Sequence, residues 1–130
     1  MIYVDTSVIV ALLTVEPKTP DVMAWYAGLR NAPISSDWLL TEFSSAISIK
    51  LRTGQLSETN AKRVHKEFDL LAAGGLRLAP VSRSAYSQAA KMVKAHLHGL
   101  RAGDSLHLAV ALELGASHMA TLDGTQAKNA

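Results

Sequence analysis

MIYVDTSVIVALL, Met1 to Leu13, is the stretch whose reading decides the fold. Met1-Ile2-Tyr3-Val4 is short, apolar and rich in strand-forming side chains, and it runs directly into Asp5. Thr6-Ser7 and a helical run to Leu13 follow, until Glu16-Pro17-Lys18 breaks the pattern. Near the other end, Ala116-Ser117-His118-Met119-Ala120-Thr121-Leu122 has the same character and runs into Asp123. In an open parallel sheet, ligands sit outside the carboxyl ends of the strands. If these two strands are neighbours, Asp5 and Asp123 share one crevice.

The segments between them alternate in the same way. Thr19 is expected to cap a helix with Pro20 at its first position, a favoured arrangement, carrying Val22, Trp25, Tyr26 and Leu29 at helical spacing and ending near Arg30. Asn31-Ala32-Pro33 turns into a strand, Ile34-Ser35-Ser36, and a helix from Asp37 to Arg52 closes at Gly54. Ser57 opens a fourth helix with Ala61, Val64, Phe68 and Leu71 on one face, ended by Gly74-Gly75. Leu76 to Val81 reads as a strand, and Ser82 to Leu97 as an amphipathic helix with Tyr86, Ala89, Ala90, Val93 and Leu97 inward and basic residues outward. Ser105 to Leu114 is apolar nearly all round and so belongs at the centre. Strands alternating with helices predict an α/β fold with a parallel sheet covered on both faces, the helix-rich middle forming an arm beside it.

Two more acids fall where they can join Asp5 and Asp123. Glu42 lies three and four positions from Leu39 and Ala46, beside a buried stripe, where a carboxylate is costly unless paired or metal-bound. Asp104 stands at the start of the central helix. Singly each has an ordinary reading: Asp5 and Asp104 as helix caps, Asp123-Gly124 as a turn, Glu42 as a solvated helix edge. Together they need neutralising, because carboxylates about 4 Å apart repel by roughly 4 kcal/mol at an effective dielectric of about 20. Oxygen donors, with no cysteine and no His-x-x-x-His pair, select Mg²⁺ or Mn²⁺ over zinc. His107, three positions after Asp104, shares its helix face; a histidine bonded to one of the acids, or satisfied in the core, is the expectation over a general base.

With 130 residues, 48% apolar and 18% charged, the chain reads as one soluble domain over 1–130. Its longest apolar run, Val8 to Leu13, is too short for a membrane span, and no secretory signal precedes Asp5. The lack of cysteine suits the cytoplasm. The net charge is only +2, yet Ser82 to Gly103 holds Arg83, Lys91, Lys94 and Arg101 with no acid, a stretch fitted to a polyanion or to simple solvation.

Ile2-Tyr3-Val4-Asp5-Thr6-Ser7, Thr41-Glu42-Phe43-Ser44-Ser45-Ala46, Leu100-Arg101-Ala102-Gly103-Asp104-Ser105-Leu106-His107-Leu108-Ala109 and Ala120-Thr121-Leu122-Asp123, in that order, resemble a PIN-domain ribonuclease, in particular the VapC toxins of bacterial VapBC pairs. The resemblance covers essentially the whole chain. It implies a PIN-like three-layer fold and a Mg²⁺- or Mn²⁺-dependent endoribonuclease. Asp5, Glu42 and Asp104 are then the essential catalytic and metal-binding acids, Asp123 completes a second metal position, and Thr6 or Ser7 supports the carboxylates. Arg83, Lys91, Lys94 and Arg101 are the candidate RNA contacts. One departure is visible: family members usually continue through a further helix and strand, whereas this sequence stops at Ala130 with only the start of that helix.

The resemblance also implies a homodimer, and a VapB-type antitoxin whose tail covers the acidic site, often with an inserted arginine. Leu12, Trp25 and Phe68 are candidates for the groove that receives it, with core packing as the ordinary alternative. Three rivals stand beside this reading. A PIN nuclease that processes RNA as housekeeping differs only in context, and a non-catalytic PIN-like binding module has no use for four clustered acids. A haloacid dehalogenase-type phosphatase needs a second acid where Ser7 stands.

Overall fold

The alternation read from the sequence is present in the computed structural model, which describes the chain from Met1 to Ala130 apart from the side chain of Thr125. In chain order the elements are β1 (Ile2–Val4), α1 (Thr6–Leu13), α2 (Thr19–Ala27), β2 (Ile34–Ser36), α3 (Trp38–Arg52), α4 (Glu58–Leu70), β3 (Arg77–Ala79), α5 (Arg83–Lys94), α6 (Ala102–Glu113), β4 (His118–Ala120) and α7 (Gly124–Asn129). A π turn, Leu71–Gly75, prolongs α4, and a 3₁₀ turn, His96–His98, joins α5 to α6.

All four strands are parallel, in the order β3-β2-β1-β4. The chain starts at β1, steps outward through β2 to β3, and returns to the other side of β1 for β4. Connections therefore diverge between β1 and β4, which opens a crevice at the carboxyl ends of those two strands. Val4 lies opposite Ala120 in the register, so Asp5 and Thr121 are the first residues beyond the pair.

Alternation along β1 sends Val4 to one face and Tyr3 to the other. Val4 joins a core with Ile9, Val22, Leu39, Phe43, Ile47, Val64 and Phe68, so α1 to α4 cover that face. Tyr3 joins Ile34, Ala85, Ala89, Leu106 and Val110, so α5 and α6 cover the other. The result is a three-layer α/β/α domain with α3 and α4 as the helical arm. The arm is fastened to the core by Phe43 and Phe68, whose rings stack 4.2 Å apart and 9° from parallel. It turns at Gly54, whose φ of 75° lies in the left-handed region glycine enters freely.

Four local expectations are corrected. Phe68 is 5% exposed and belongs to the core, not to a surface groove; Leu12 and Trp25 are half-buried against the same cluster. On α5 the inward residues are Ala85 and Ala89, while Ala90 is exposed, Tyr86 is 51% exposed and Leu97 89%. Small alanines let α5 lie close on α6, and Leu97 falls in the 3₁₀ turn, where the helical period no longer holds. Thr19 does not cap α2: its hydroxyl accepts from Glu16 N (2.9 Å) and donates to Ala11 O (2.6 Å), tying α1 to α2. The same helix stops at Ala27, short of Arg30. Among the described residues no helix is long and apolar enough to cross a membrane.

Candidate active site

Asp5 is 3% exposed and serves two structural ends at once. It caps α1, accepting from Ser7 N (3.1 Å) and Ser7 Oγ (2.6 Å) at Oδ1, while its Oδ2 accepts from the Thr121 hydroxyl at the end of β4. Ser7 Oγ in turn accepts from Leu122 N (2.9 Å), and Asp5 N donates to Ala120 O (3.2 Å). The capping reading of Asp5 is thus realised, and the same carboxyl stands at the junction of β1 and β4. Burial pushes its carboxyl above the usual range, against the pull of the Ser7 and Thr121 hydroxyls.

Glu42 reaches the crevice from α3 and is held by α1 and α6 together. Its Oε1 accepts from Thr6 Oγ1 (2.6 Å) and pairs with His107 Nε2 (2.6 Å). Burial pushes Glu42 up, but the bonds from His107 and Thr6 prevail and hold it below the usual range. The buried Trp38 indole N–H, which has no well-formed hydrogen bond among the described residues, favours the same charge. Behind His107 stands Tyr3, its Oη 2.6 Å from Nδ1. Burial pushes the Tyr3 phenol up to about 12, although the Ser36 and Ser35 hydroxyls pull the other way.

Asp104 lies in the first turn of α6 and does not cap it; Arg101 stands at the cap position. Burial raises its pKa, and so in order do the charges of Asp123, Asp5 and Glu42. Asp104 thus feels the charge of three other acids, each from a separate segment. Asp123 caps α7, accepting from Gln126 N (2.8 Å), and the buried Gln126 amide donates to Asp104 O (2.9 Å), which joins α7 to α6.

The donor set is all hard oxygen and fits Mg²⁺ or Mn²⁺, which take carboxylates readily and leave positions for water. As the side chains lie, no three His, Asp or Glu groups among the described residues close on a single point. The fit is therefore one of donor chemistry and mutual charge, which a cation relieves, and not of a finished cage. Thr6 donates to Glu42 and Ser7 to Asp5.

The basic residues divide. Ser82 Oγ donates to Glu113 (2.7 Å), so α5 runs antiparallel to α6, and Arg83 sits at the end away from Asp104. At 1.5 Å per residue a helix the length of α6 separates those ends by about 15 Å. Exposed Lys91, Lys94 and Arg101 lie toward the acidic end. The sequence reading passed over Thr121, Tyr3, Trp38, Gly103 and Gln126. Only Gln126 left a signal, the Asp-x-x-Gln spacing of a helix start.

The protein is thus an α/β domain with carboxylates from the end of β1, α3, α6 and the end of β4 turned toward the switch point of its sheet. The PIN domain family model matches residues 2–130, and the chain belongs to the PIN domain family. No curated protein matches it. Among solved structures it is similar to VapC20 of Mycobacterium tuberculosis, described as a sarcin-ricin loop cleaving toxin, with 19% identity and a TM-score of 0.79 over 99% of this chain and 95% of that one. It is similar to FitAcB of Neisseria gonorrhoeae, with 22% identity and a TM-score of 0.68 over 97% and 90% of the two chains. VapBC2 of Rickettsia felis, bound to a DNA fragment from their promoter, shares 18% identity and a TM-score of 0.61 over 91% and 86%. At these identities the likeness is one of fold.

Proposed function

We propose that this protein is a metal-dependent endoribonuclease and the toxin of a toxin-antitoxin pair, folded as a single PIN domain over residues 1–130. The observation that carries the reading is the match of the PIN domain family model over residues 2–130, and within the fold Asp123, Asp5 and Glu42 each oppose the charge of Asp104. A protein that only binds RNA gains nothing from gathering negative charge where a phosphate backbone must pass; a nuclease that recruits cations does.

Asp5, Glu42, Asp104 and Asp123 would hold Mg²⁺ or Mn²⁺, and when bound the ion supplies Lewis acidity and a water acidic enough to attack phosphorus near neutral pH. The chain's own contribution is placement. Ser7 and Thr121 fix the Asp5 carboxylate at the junction of β1 and β4. Thr6 and His107 fix Glu42 from the opposite side. Lys91, Lys94 and Arg101, toward the same end of α5 and α6, draw in the phosphodiester backbone, a sequence-independent attraction that weakens with salt. Arg83 contributes least, because its neighbour Ser82 bonds to Glu113 at the far end of α6.

The toxin role and a VapB-type antitoxin partner are supported by the family and by what the similar structures are named for; a homodimer and a cytoplasmic setting belong to the same reading. An acidic crevice is a natural receptor for an antitoxin arginine. The test is cleavage of total bacterial RNA by purified protein with Mg²⁺ or Mn²⁺, against EDTA and against Asp104→Asn. Metal-dependent cutting lost in the variant is expected. Folded wild-type protein that neither cuts RNA nor binds Mn²⁺ would overturn the nuclease reading.

A further inference from the structure

The buried pair behind Glu42 has a direction built into its chemistry. Glu42 Oε1 already accepts the only proton of the Thr6 hydroxyl, and a carboxylate has none to give, so the His107 nitrogen 2.6 Å from it carries a proton. With the ring proton on Nε2, Nδ1 is left as the acceptor for the Tyr3 hydroxyl, whose Oη lies 2.6 Å away. The Tyr3 and His107 rings meet edge to face, 5.6 Å between centroids and 64° apart, which fixes the imidazole plane. Tyr3 is 0% and His107 1% exposed, so neither ring has water to turn toward. With both nitrogens engaged, His107 has no acceptor left for a proton from an attacking water.

We propose that Tyr3 and His107 are positioning residues: a two-link hydrogen-bond relay, anchored in the sheet by Tyr3, that holds Glu42 Oε1 and turns its Oε2 toward Gly103 and the crevice. The relay rests on the reading of Glu42 as part of a cation-binding nuclease site. It carries rigidity from the middle of β1 to an acid on α3 through α6, so the carboxylate cannot follow its own side-chain freedom. Partners of this kind, which orient a metal-site group without touching the metal, typically change affinity or activity about 10- to 100-fold when removed.

The test uses the full chain and four variants, Tyr3→Phe, His107→Ala, His107→Gln and Glu42→Gln, with Mn²⁺ binding by calorimetry and single-turnover cleavage of an RNA oligonucleotide as separate readouts. Tyr3→Phe keeps the ring and fold, and is expected to weaken Mn²⁺ binding and slow cleavage several-fold with KM unchanged. His107→Ala is expected to lose about tenfold or more in each. His107→Gln, which returns an N–H to Glu42, is expected to recover most of that loss.

The decisive outcome is a double-mutant cycle. If the relay acts through Glu42, His107→Ala adds nothing to Mn²⁺ affinity in the Glu42→Gln background. Additive losses, or folded His107→Ala and Tyr3→Phe proteins with wild-type Mn²⁺ affinity, overturn the relay. Because the cycle is read in metal binding, the relay is decided even if the protein cuts no RNA, and absence of cutting by itself counts against the nuclease reading alone.

Discussion

A single methyl group at Gly103 is expected to disable the site without unfolding the protein. An ideal β-carbon there would fall well inside contact distance of Glu42 Oε2, 3.1 Å from Trp38 Nε1 and 3.2 Å from Glu42 Cδ. Glu42 cannot step back freely, because Oε1 is bonded to both Thr6 and His107 at 2.6 Å. Giving up one hydrogen bond to a charged group costs about 1.5–3 kcal/mol. If that loss falls on the catalytic arrangement, cleavage slows about 10- to 200-fold at 1.36 kcal/mol per decade. The same loss lowers stability, offset in part because Ala is favoured over Gly within a helix by up to about 1 kcal/mol, and Gly103 lies in the first turn of α6. Gly103→Ala should therefore melt only a few degrees below wild type while losing most of its activity. Thermal unfolding and single-turnover RNA cleavage, run on one preparation, measure both. A folded Gly103→Ala protein that cleaves RNA and binds Mn²⁺ like wild type would falsify the claim that Glu42 is clamped against the Gly103 backbone.

Asp104→Asn removes a charge opposed by burial and by Asp123, Asp5 and Glu42, so the metal-free variant is expected to melt higher than wild type while binding Mn²⁺ more weakly; a lower melting temperature contradicts the repulsion. Asp5 and Asp104 have raised pKa values, so protons compete with a cation more strongly there than at ordinary carboxylates, and Mn²⁺ affinity measured by calorimetry should fall as the pH is lowered, starting at a higher pH than for ordinary carboxylates. Tyr3 is raised in the fold to about 12 from 10.0, so the unfolded chain loses this proton first as pH rises. That contribution is whole below about pH 10 and declines by about 2–3 kcal/mol toward pH 12, a window that urea titrations should find flattened in Tyr3→Phe. Phe68→Ala is expected to cost about 3–5 kcal/mol in urea denaturation, because its ring is buried on Phe43; a cost under about 1 kcal/mol returns Phe68 to the surface.

Much of this molecule was legible because the relevant physics is local. An apolar run ending in an acid marked Asp5 and Asp123, and helical spacing put Glu42 beside a buried stripe and Asp104 at the head of a central helix. Alternation of strand and helix settled the class of fold, since a parallel strand pair needs a covering crossover whatever its sequence. Faces were less secure. The α5 period was right, but its phase was set by close alanine packing on α6, which hydrophobicity alone ranks below Tyr86 and Leu97.

What the chain by itself determined is the chemistry on offer: four acids without cysteine, at strand ends and helix starts, in an α/β order. What only the tertiary structure decided is who meets whom. Tyr3 and His107 are 104 positions apart, Thr121 and Asp5 are 116 apart, and Gly103 carries no mark of the carboxylate beside it. Those meetings follow from the switch in strand order, which brings β4 back against β1 and drops α6 across the same end of the sheet. Spacing in a sequence encodes the direction a side chain takes from its own element; the distance to a group on another element is fixed only when the packing of both faces closes the topology.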